Sequence, residues 1–226
     1  MVYGDIVLGR FVSRPNRFIA QVEINGKIET CHVKNTSRLT ELLLPGALVS
    51  LQRAKTPGRK TAWDLVAVQH GEHWVNIDSQ APNVVFGEWA RECGWFGQAA
   101  RLQAEVTHGD SRFDWYIETE TRRIFVEVKG VTLVKDRIAC FPGAPTSRGI
   151  KHLHQLIRCM DEGYEAMMAF VVKRDDVDLC MPNDEMDPAF GIALREAISR
   201  GLQTIGMACD VTADTLSICR IIDMRL

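Results

Sequence analysis

The chain has 226 residues, a formal net charge of −2, and 46% hydrophobic against 25% charged residues. That balance describes a globular protein long enough for one large domain or two small ones. No run of ~18 apolar residues occurs, so no membrane span is expected. The opening Met1-Val2-Tyr3-Gly4-Asp5 is neither basic nor followed by an apolar core segment, which argues against secretion. Seven cysteines without a C-x-x-C pair read as neither a disulfide framework nor a zinc ribbon, and fit a reducing, cytoplasmic setting. Charge is uneven: residues 1–80 carry ten Lys/Arg against seven Asp/Glu, and residues 81–226 carry seventeen against twenty-two. The acidic second part suits a cation site better than unaided phosphate binding.

Residues 1–80 read as short strands joined by turns. Phe18, Ala20, Val22 and Ile24 alternate with Ile19, Gln21 and Glu23, and Asn25-Gly26 is a strong hairpin signal, with a return strand over 27–33. A short polar or helical piece is expected over 36–44, where Leu39, Leu42 and Leu43 have helical spacing, stopped by Pro45-Gly46. Strands follow over 47–51 and 63–68, separated by a basic loop with Arg53, Lys55, Arg59 and Lys60. Five or so strands in about 80 residues suggest a small closed barrel such as an OB-fold, although a sandwich or SH3-like barrel gives a similar pattern. His70-Gly71-Glu72-His73 has H-x-x-H spacing, but it sits in a turn-rich stretch without a third partner, so a turn is the leading reading and a metal site the minor one.

From residue 81 the rhythm becomes mixed helix and strand. Asn83 is placed to cap a helix through Trp89, Ala90 and Cys93, with Gly94 as its stop. Strands are expected over 102–108, 113–117 and 124–131. Thr146-Ser147 opens a second helix with an apolar stripe of Ile150, Leu153, Ile157 and Met160. A buried strand over 166–173, a helix over 188–200 and strands over 202–209 and 216–222 complete an α/β domain over 81–226.

The most informative spacing is Asp114, in Ser111-Arg112-Phe113-Asp114, followed by Glu127-Val128-Lys129. On a strand Glu127 and Lys129 share one face, with Val126 and Val128 on the other. If the intervening turn is symmetric about Glu120 and Thr121, paired residue numbers sum to 241 and Asp114 faces Glu127. Two opposed carboxylates repel unless one is protonated or a cation lies between them. A hard divalent ion held by the two acids, with Lys129 beside it, would be a site for phosphate chemistry. The same spacing also fits a solvated hairpin face with a cross-strand ion pair.

Further segments resemble the bacterial and archaeal sugar fermentation stimulation protein A family (SfsA). They are Asn35-Thr36-Ser37-Arg38-Leu39, Glu41-Leu42-Leu43, Pro45-Gly46, Ser111-Arg112-Phe113-Asp114, Val126-Glu127-Val128-Lys129, Phe141-Pro142-Gly143-Ala144 and Thr146-Ser147-Arg148-Gly149-Ile150-Lys151-His152-Leu153. The resemblance spans nearly the whole chain. It implies an OB-like β-barrel domain over 1–80, then a PD-(D/E)xK nuclease-like α/β domain over 81–226, in a protein that binds DNA with little sequence preference. The chain departs from the family pattern at Gly143, where Asp is usual, and at Gly130, where Ser is common.

By that resemblance Asp114 and Glu127 would hold Mg²⁺ or Mn²⁺, and Lys129 would orient the attacking water and stabilise charge on the phosphate. Nucleases of this class often carry a further acid on the first helix of the domain, for which Glu88 is the best match; it would reach the ion directly or through water. Glu105 reads either as a neighbour of that cluster or as a surface residue. Arg148, Lys151 and His152, with Gln155 and Arg158, are expected on the polar side of the second helix, where they would contact DNA or RNA backbone. Arg53, Lys55, Arg59 and Lys60, with Trp63 behind them, would do the same on the barrel. Two functions are carried forward: a DNA-binding protein with a Mg²⁺-dependent phosphodiesterase site, and a non-enzymatic DNA-binding or regulatory protein linked to sugar metabolism that retains a nuclease fold.

Overall fold

The structure, a computed structural model, describes residues 1–54, 56, 58–97 and 100–226. Lys55, named above in the basic loop, lies outside the described residues. The chain forms two compact units: Met1–Ala81 with Lys173–Asp176 and Cys209–Ser217 in one, and Pro82–Val172, Val177–Ala208 and Ile218–Leu226 in the other.

The first unit is built on β1 (Ile6–Asn16), β2 (Ile19–Ile24), β3 (Lys27–Val33), β4 (Leu48–Arg53), β5 (Trp63–His70) and β6 (His73–Asn76). The antiparallel order β3-β2-β1-β4-β5 is closed by a parallel pairing of β3 with β5, and β6 folds back on β5 as a hairpin. Alternation in β2 puts Ala20, Val22 and Ile24 inside, and both Asn25 and Gly26 take positive φ, as the tight two-residue hairpin requires. Gly9 allows β1 to cross β2 closely: a Cβ there would lie 2.5 Å from Val22 Cγ1 and 2.9 Å from Glu23 O.

The helix expected over 36–44 does not form. Leu39 has a φ of +53°, outside the right-handed helical region, and only a single turn follows it, with Leu43 N donating to Leu39 O at 2.9 Å. The leucines are still apolar anchors, because Leu39, Leu42 and Leu43 all enter the barrel core from this turn. The segment is held by Arg14, whose guanidinium donates to the carbonyl oxygens of Arg17, Asn35, Ser37 and Arg38.

The second unit is built on α1 (Ala81–Glu92), β7 (Arg101–His108), β8 (Ser111–Glu118), β9 (Arg123–Val131), β10 (Val134–Lys135), β11 (Ile138–Phe141), α2 (Ser147–Asp161), β12 (Glu165–Val172), β13 (Leu179–Pro182), α3 (Pro188–Ser199), and the larger parts of β14 (Gln203–Val211) and β15 (Leu216–Met224), whose 209–211 and 216–217 belong to the first unit. The sheet runs β10-β11-β13-β15-β14-β12-β9-β8-β7. β7, β8 and β9 are antiparallel, and β12 pairs in parallel with both β9 and β14. β12 is apolar and buried along nearly its whole length, as a strand paired on both edges inside an α/β domain should be. Thr146 caps α2, its side chain accepting from Gly149 N, and the stripe containing Leu153 and Ile157 packs into the core.

Five strands had no sequence-based expectation: β1, β6, β10, β11 and β13. The last four have two to four residues, too few for alternation to register, and each is made a strand by its partner. Of the eleven residues of β1 only Gly9 and Phe11 are buried, which leaves little apolar alternation to read. Asn83 does not cap α1. The helix begins two residues earlier, at Ala81, with Pro82 tolerated in the first turn, so Asn83 points its amide elsewhere.

Candidate functional site

The hairpin register is the one the sequence predicts. Trp115 pairs with Val126, Tyr116 with Phe125, Ile117 with Ile124 and Glu118 with Arg123, each summing to 241. The ladder ends at Trp115, and the next step of that register sets Asp114 opposite Glu127. Instead of continuing the ladder, Asp114 Oδ2 accepts from the backbone N–H of Val128 at 2.7 Å. On its other side the β7–β8 ladder skips one pair: Ala104 faces Trp115 and Val106 faces Phe113, and the residue between, Glu105, has a φ of +58°. A non-glycine in the left-handed region interrupts a strand at some cost, and such positions gather near functional sites.

Asp114 Oδ1 accepts from Asn83 Nδ2 at 2.7 Å, so α1 and β9 each hold one oxygen of the carboxylate. Burial, and then the neighbouring charge of Glu127, pushes the Asp114 carboxyl above its usual range. Glu127 is 3% exposed. Burial would push it up as well, but its hydrogen bond with His152 and the ammonium of Lys129 outweigh that and hold it below the usual range. Lys129 Nζ donates to Glu127 Oε1 at 2.5 Å, and His152 Nδ1 is hydrogen-bonded to the same oxygen. Arg148 Nε donates to His152 Nε2 at 3.3 Å. With Nε2 accepting, the ring proton belongs on Nδ1, facing Glu127.

Of the residues expected from sequence, Asp114, Glu127, Lys129, His152 and Arg148 thus form one connected cluster spanning β8, β9 and α2. His152 sits on the inner side of α2 against Glu127, and Gln155 is buried rather than part of an exposed polar face. Lys151 and Arg158 are exposed, and Arg158 stands 3.8 Å from Asp110. Glu105 is exposed and ion-paired with Arg112, which makes it a surface residue. Glu88 is half-buried on α1, but five residues beyond Asn83 it is turned about 140° round the helix. Among the described residues, the set of three His, Cys, Asp or Glu ligand atoms within 4.8 Å of one another lies in the other unit, and Asp114, Glu127 and Glu88 are not drawn together to that spacing.

On the barrel the basic loop divides. Arg59 donates twice to Asp64, at 2.9 and 2.7 Å, and once to Thr61, so its guanidinium is committed to the barrel. Arg53 and Lys60 are exposed, and Arg53 lies 5.8 Å over the ring of Trp63.

The residue that sequence reasoning missed is Asn83. Its spacing before an apolar helical pattern read as a cap, and only the packing of α1 on β8 reveals its contact with Asp114. Gly87, one turn further on, makes that packing possible: a Cβ there would lie 2.3 Å from the indole of Trp115.

Fold and site together define a two-part protein: a small closed barrel, and an α/β domain with an Asp–Glu pair and a lysine at the interrupted edge of a hairpin. The family model described as "SfsA N-terminal OB domain" matches residues 12–77, and that described as "Sugar fermentation stimulation protein RE domain" matches residues 80–215. The chain belongs to the sugar fermentation stimulation protein family. A sugar fermentation stimulation protein homolog of Desulfitobacterium hafniense (strain Y51) is 47% identical over 226 residues, covering 100% of this chain and 99% of that protein. The homolog of Ruminiclostridium cellulolyticum is 43% identical, covering 100% of both. The solved structure of Pyrococcus furiosus SfsA in complex with Ca²⁺ superposes with a TM-score of 0.89 at 25% identity, covering 100% of this chain and 98% of that one.

Proposed function

We propose that this protein binds DNA with little sequence specificity and carries a divalent-metal-dependent phosphodiesterase site at Asp114, Glu127 and Lys129. The observation that carries the reading is the convergence of two partly or fully buried carboxylates, one pushed above its usual range by burial and by its partner, beside a lysine ammonium. Such a donor set suits a hard cation such as Mg²⁺ or Mn²⁺, which relieves the repulsion between the acids. The Ca²⁺ in Pyrococcus furiosus SfsA, also a hard, oxygen-seeking ion, supports the same assignment. A bound ion would supply Lewis-acid activation of water and neutralise phosphate charge.

The chain's own residues would do the rest. Asn83 and the Val128 N–H orient Asp114, and Lys129 offers its ammonium to the charge that develops on the phosphate. Arg148 and Lys151 on α2, with Arg53 and Lys60 on the barrel, would contact the nucleic-acid backbone. Glu88 on α1 would reach the ion directly or through water. The test is incubation of purified protein with single- and double-stranded DNA and RNA, with and without Mg²⁺ or Mn²⁺. If wild type and Lys129→Ala are equally inert on every substrate, the catalytic reading fails.

One observation favours a second reading, a DNA-binding or regulatory protein that keeps the fold without cleaving. Gly143 stands where the resemblance leads one to expect a carboxylate. That reading requires salt-dependent DNA binding that persists in Asp114→Asn and Glu127→Gln, with no cleavage under any metal.

A further inference from the structure

His70 and His73 flank the two-residue turn Gly71-Glu72 between β5 and β6 and are directly paired across the hairpin. Directly opposed residues of an antiparallel pair project from the same face, with Cβ atoms about 5 Å apart. The turn that looked partnerless in sequence acquires partners about a hundred residues later. Asn76 N donates to Lys173 O at 3.1 Å, and this lays the segment Lys173–Asp176 alongside β6 within the same compact unit. His73 Nδ1 then lies 2.8 Å from Asp175 Oδ1, and one ligand atom each of His73, Asp175 and Asp176 falls within 4.8 Å of the others.

We propose that His73, Asp175 and Asp176 form a second cation site, specific for a borderline divalent ion of the zinc class, with His70 completing the coordination from across the hairpin. The proposal does not depend on the catalytic reading of Asp114 and Glu127. An imidazole with two carboxylates selects Zn²⁺, Co²⁺ or Ni²⁺ over Mg²⁺ and Ca²⁺, which take oxygen ligands. With metal–ligand bonds of about 2.0–2.2 Å, ligand atoms in a tetrahedral site stand roughly 3.3 Å apart. His73 Nδ1 and Asp175 Oδ1, at 2.8 Å, are closer than that and Asp176 lies within 4.8 Å of both, so half-exposed side chains such as His73 and Asp175 reach it by rotamer adjustment.

The surroundings are those of a supported site. Arg174, buried at 5% exposure, holds Asp176 through a two-pronged ion pair, Nε to Oδ1 and Nη2 to Oδ2, both at 2.5 Å. A fixed outer partner of this kind orients a ligating carboxylate. Gly71, with a φ of +63°, keeps the turn tight enough for both histidines to stand side by side. The hairpin contributes the imidazoles and the segment after β12 the oxygens, so an ion here would clip together two stretches of the first unit that are distant in sequence.

The test uses the full chain carrying Asp114→Asn and Glu127→Gln, so that the other pair of acids does not contribute, stripped of metal and titrated with Zn²⁺ by calorimetry and with Co²⁺ by visible absorption. The expected result is one equivalent of Zn²⁺ and a Co²⁺ d–d spectrum. Affinity should drop at least tenfold in His73→Gln and in Asp175→Asn, and by a smaller factor in His70→Gln. Melting temperatures without metal check folding, and both His73 and Asp175 are exposed enough to be replaced without opening the core. No Zn²⁺ binding in the starting protein, or binding unchanged in both His73→Gln and Asp175→Asn, overturns the proposal.

Discussion

Asn83 donates from its side-chain amide to Asp114 Oδ1 at 2.7 Å, tying the first turn of α1 to the acid at the interrupted edge of β8. The contact fixes which way the carboxylate presents its second oxygen, which accepts from Val128 N. Replacing Asn83 with Ala should leave a fold losing about 1 kcal/mol while releasing Asp114. Under the proposed function, cleavage and metal affinity should fall about 10- to 100-fold, the range for loss of an outer hydrogen-bond partner of a metal ligand. Mg²⁺ titrations and cleavage rates of Asn83→Ala and Asn83→Asp, compared with urea unfolding of each, separate positioning from plain destabilisation.

Gly87→Ala should destabilise the protein although alanine is the better helix former by about 1 kcal/mol. The added methyl would lie 2.3 Å from the Trp115 ring, which is itself buried between α1 and the sheet. Overpacking of this kind costs about 1–3 kcal/mol, and it should also lengthen the Asn83–Asp114 contact. Chemical denaturation gives the first quantity. A more stable Gly87→Ala would show that α1 can shift without cost.

A divalent ion held by Asp114 and Glu127 should raise the melting temperature by binding only the folded state. At 100 times the dissociation constant the gain is about 2.7 kcal/mol. Thermal melts with Mg²⁺, Mn²⁺ or Ca²⁺ against a chelator should show an increase in wild type that disappears in Asp114→Asn. The same shift in both proteins would move the ion away from these acids.

Asp64 should make the barrel acid-sensitive. Burial pushes its carboxyl up, but hydrogen bonds from Arg59 and His32 outweigh this and hold it below the ordinary value. An acid with a depressed folded pKa adds stability above its unfolded value, near 3.9, and this contribution is lost as pH falls through the lower folded value. Asp64→Asn should therefore cost about 1–3 kcal/mol at neutral pH. Its stability should also fall less steeply than that of wild type below about pH 4. Parallel slopes for the two proteins would contradict the assignment.

Gly143→Asp should be tolerated, because nothing lies within 4 Å of a Cβ at this exposed position. Its melting temperature should match wild type closely. If Asp114 and Glu127 bind a divalent ion as proposed, and Gly143 takes the place of the family's Asp beside them, the added carboxylate should raise Mg²⁺ affinity, measured by the same thermal shift. Unchanged affinity would show that Gly143 is not what limits ion binding.

Much of the architecture was legible in the chain because it rests on local patterns. Alternation in 18–24, the Asn25-Gly26 turn and the cap at Thr146 each encode their element within a few residues. The register of β8 on β9 could be counted from the turn between them, since one residue of slip would turn Asp114 to the other face. The helix expected at 36–44 failed because leucine spacing alone does not exclude a turn; the carbonyl clamp of Arg14, from more than twenty residues away, selects the turn. Asn83 was mistaken for a cap for a similar reason, since the helix start two residues earlier left its amide available to Asp114. Arg59 read as a phosphate ligand because charge in a loop is ordinarily solvated, and Asp64 became its partner only through the folding of β5.

The amino-acid sequence by itself determined which residues alternate into strands, where the hairpins turn, and that Glu127 and Lys129 share a face, because these follow from the two-residue period of an extended chain. Tertiary structure decided what no local period encodes: that Asn83 and His152 close on the acids from two different helices, and that His73 meets Asp175. Those contacts join residues twenty-five to a hundred apart, and their existence depends on how helices and strands pack after each has formed.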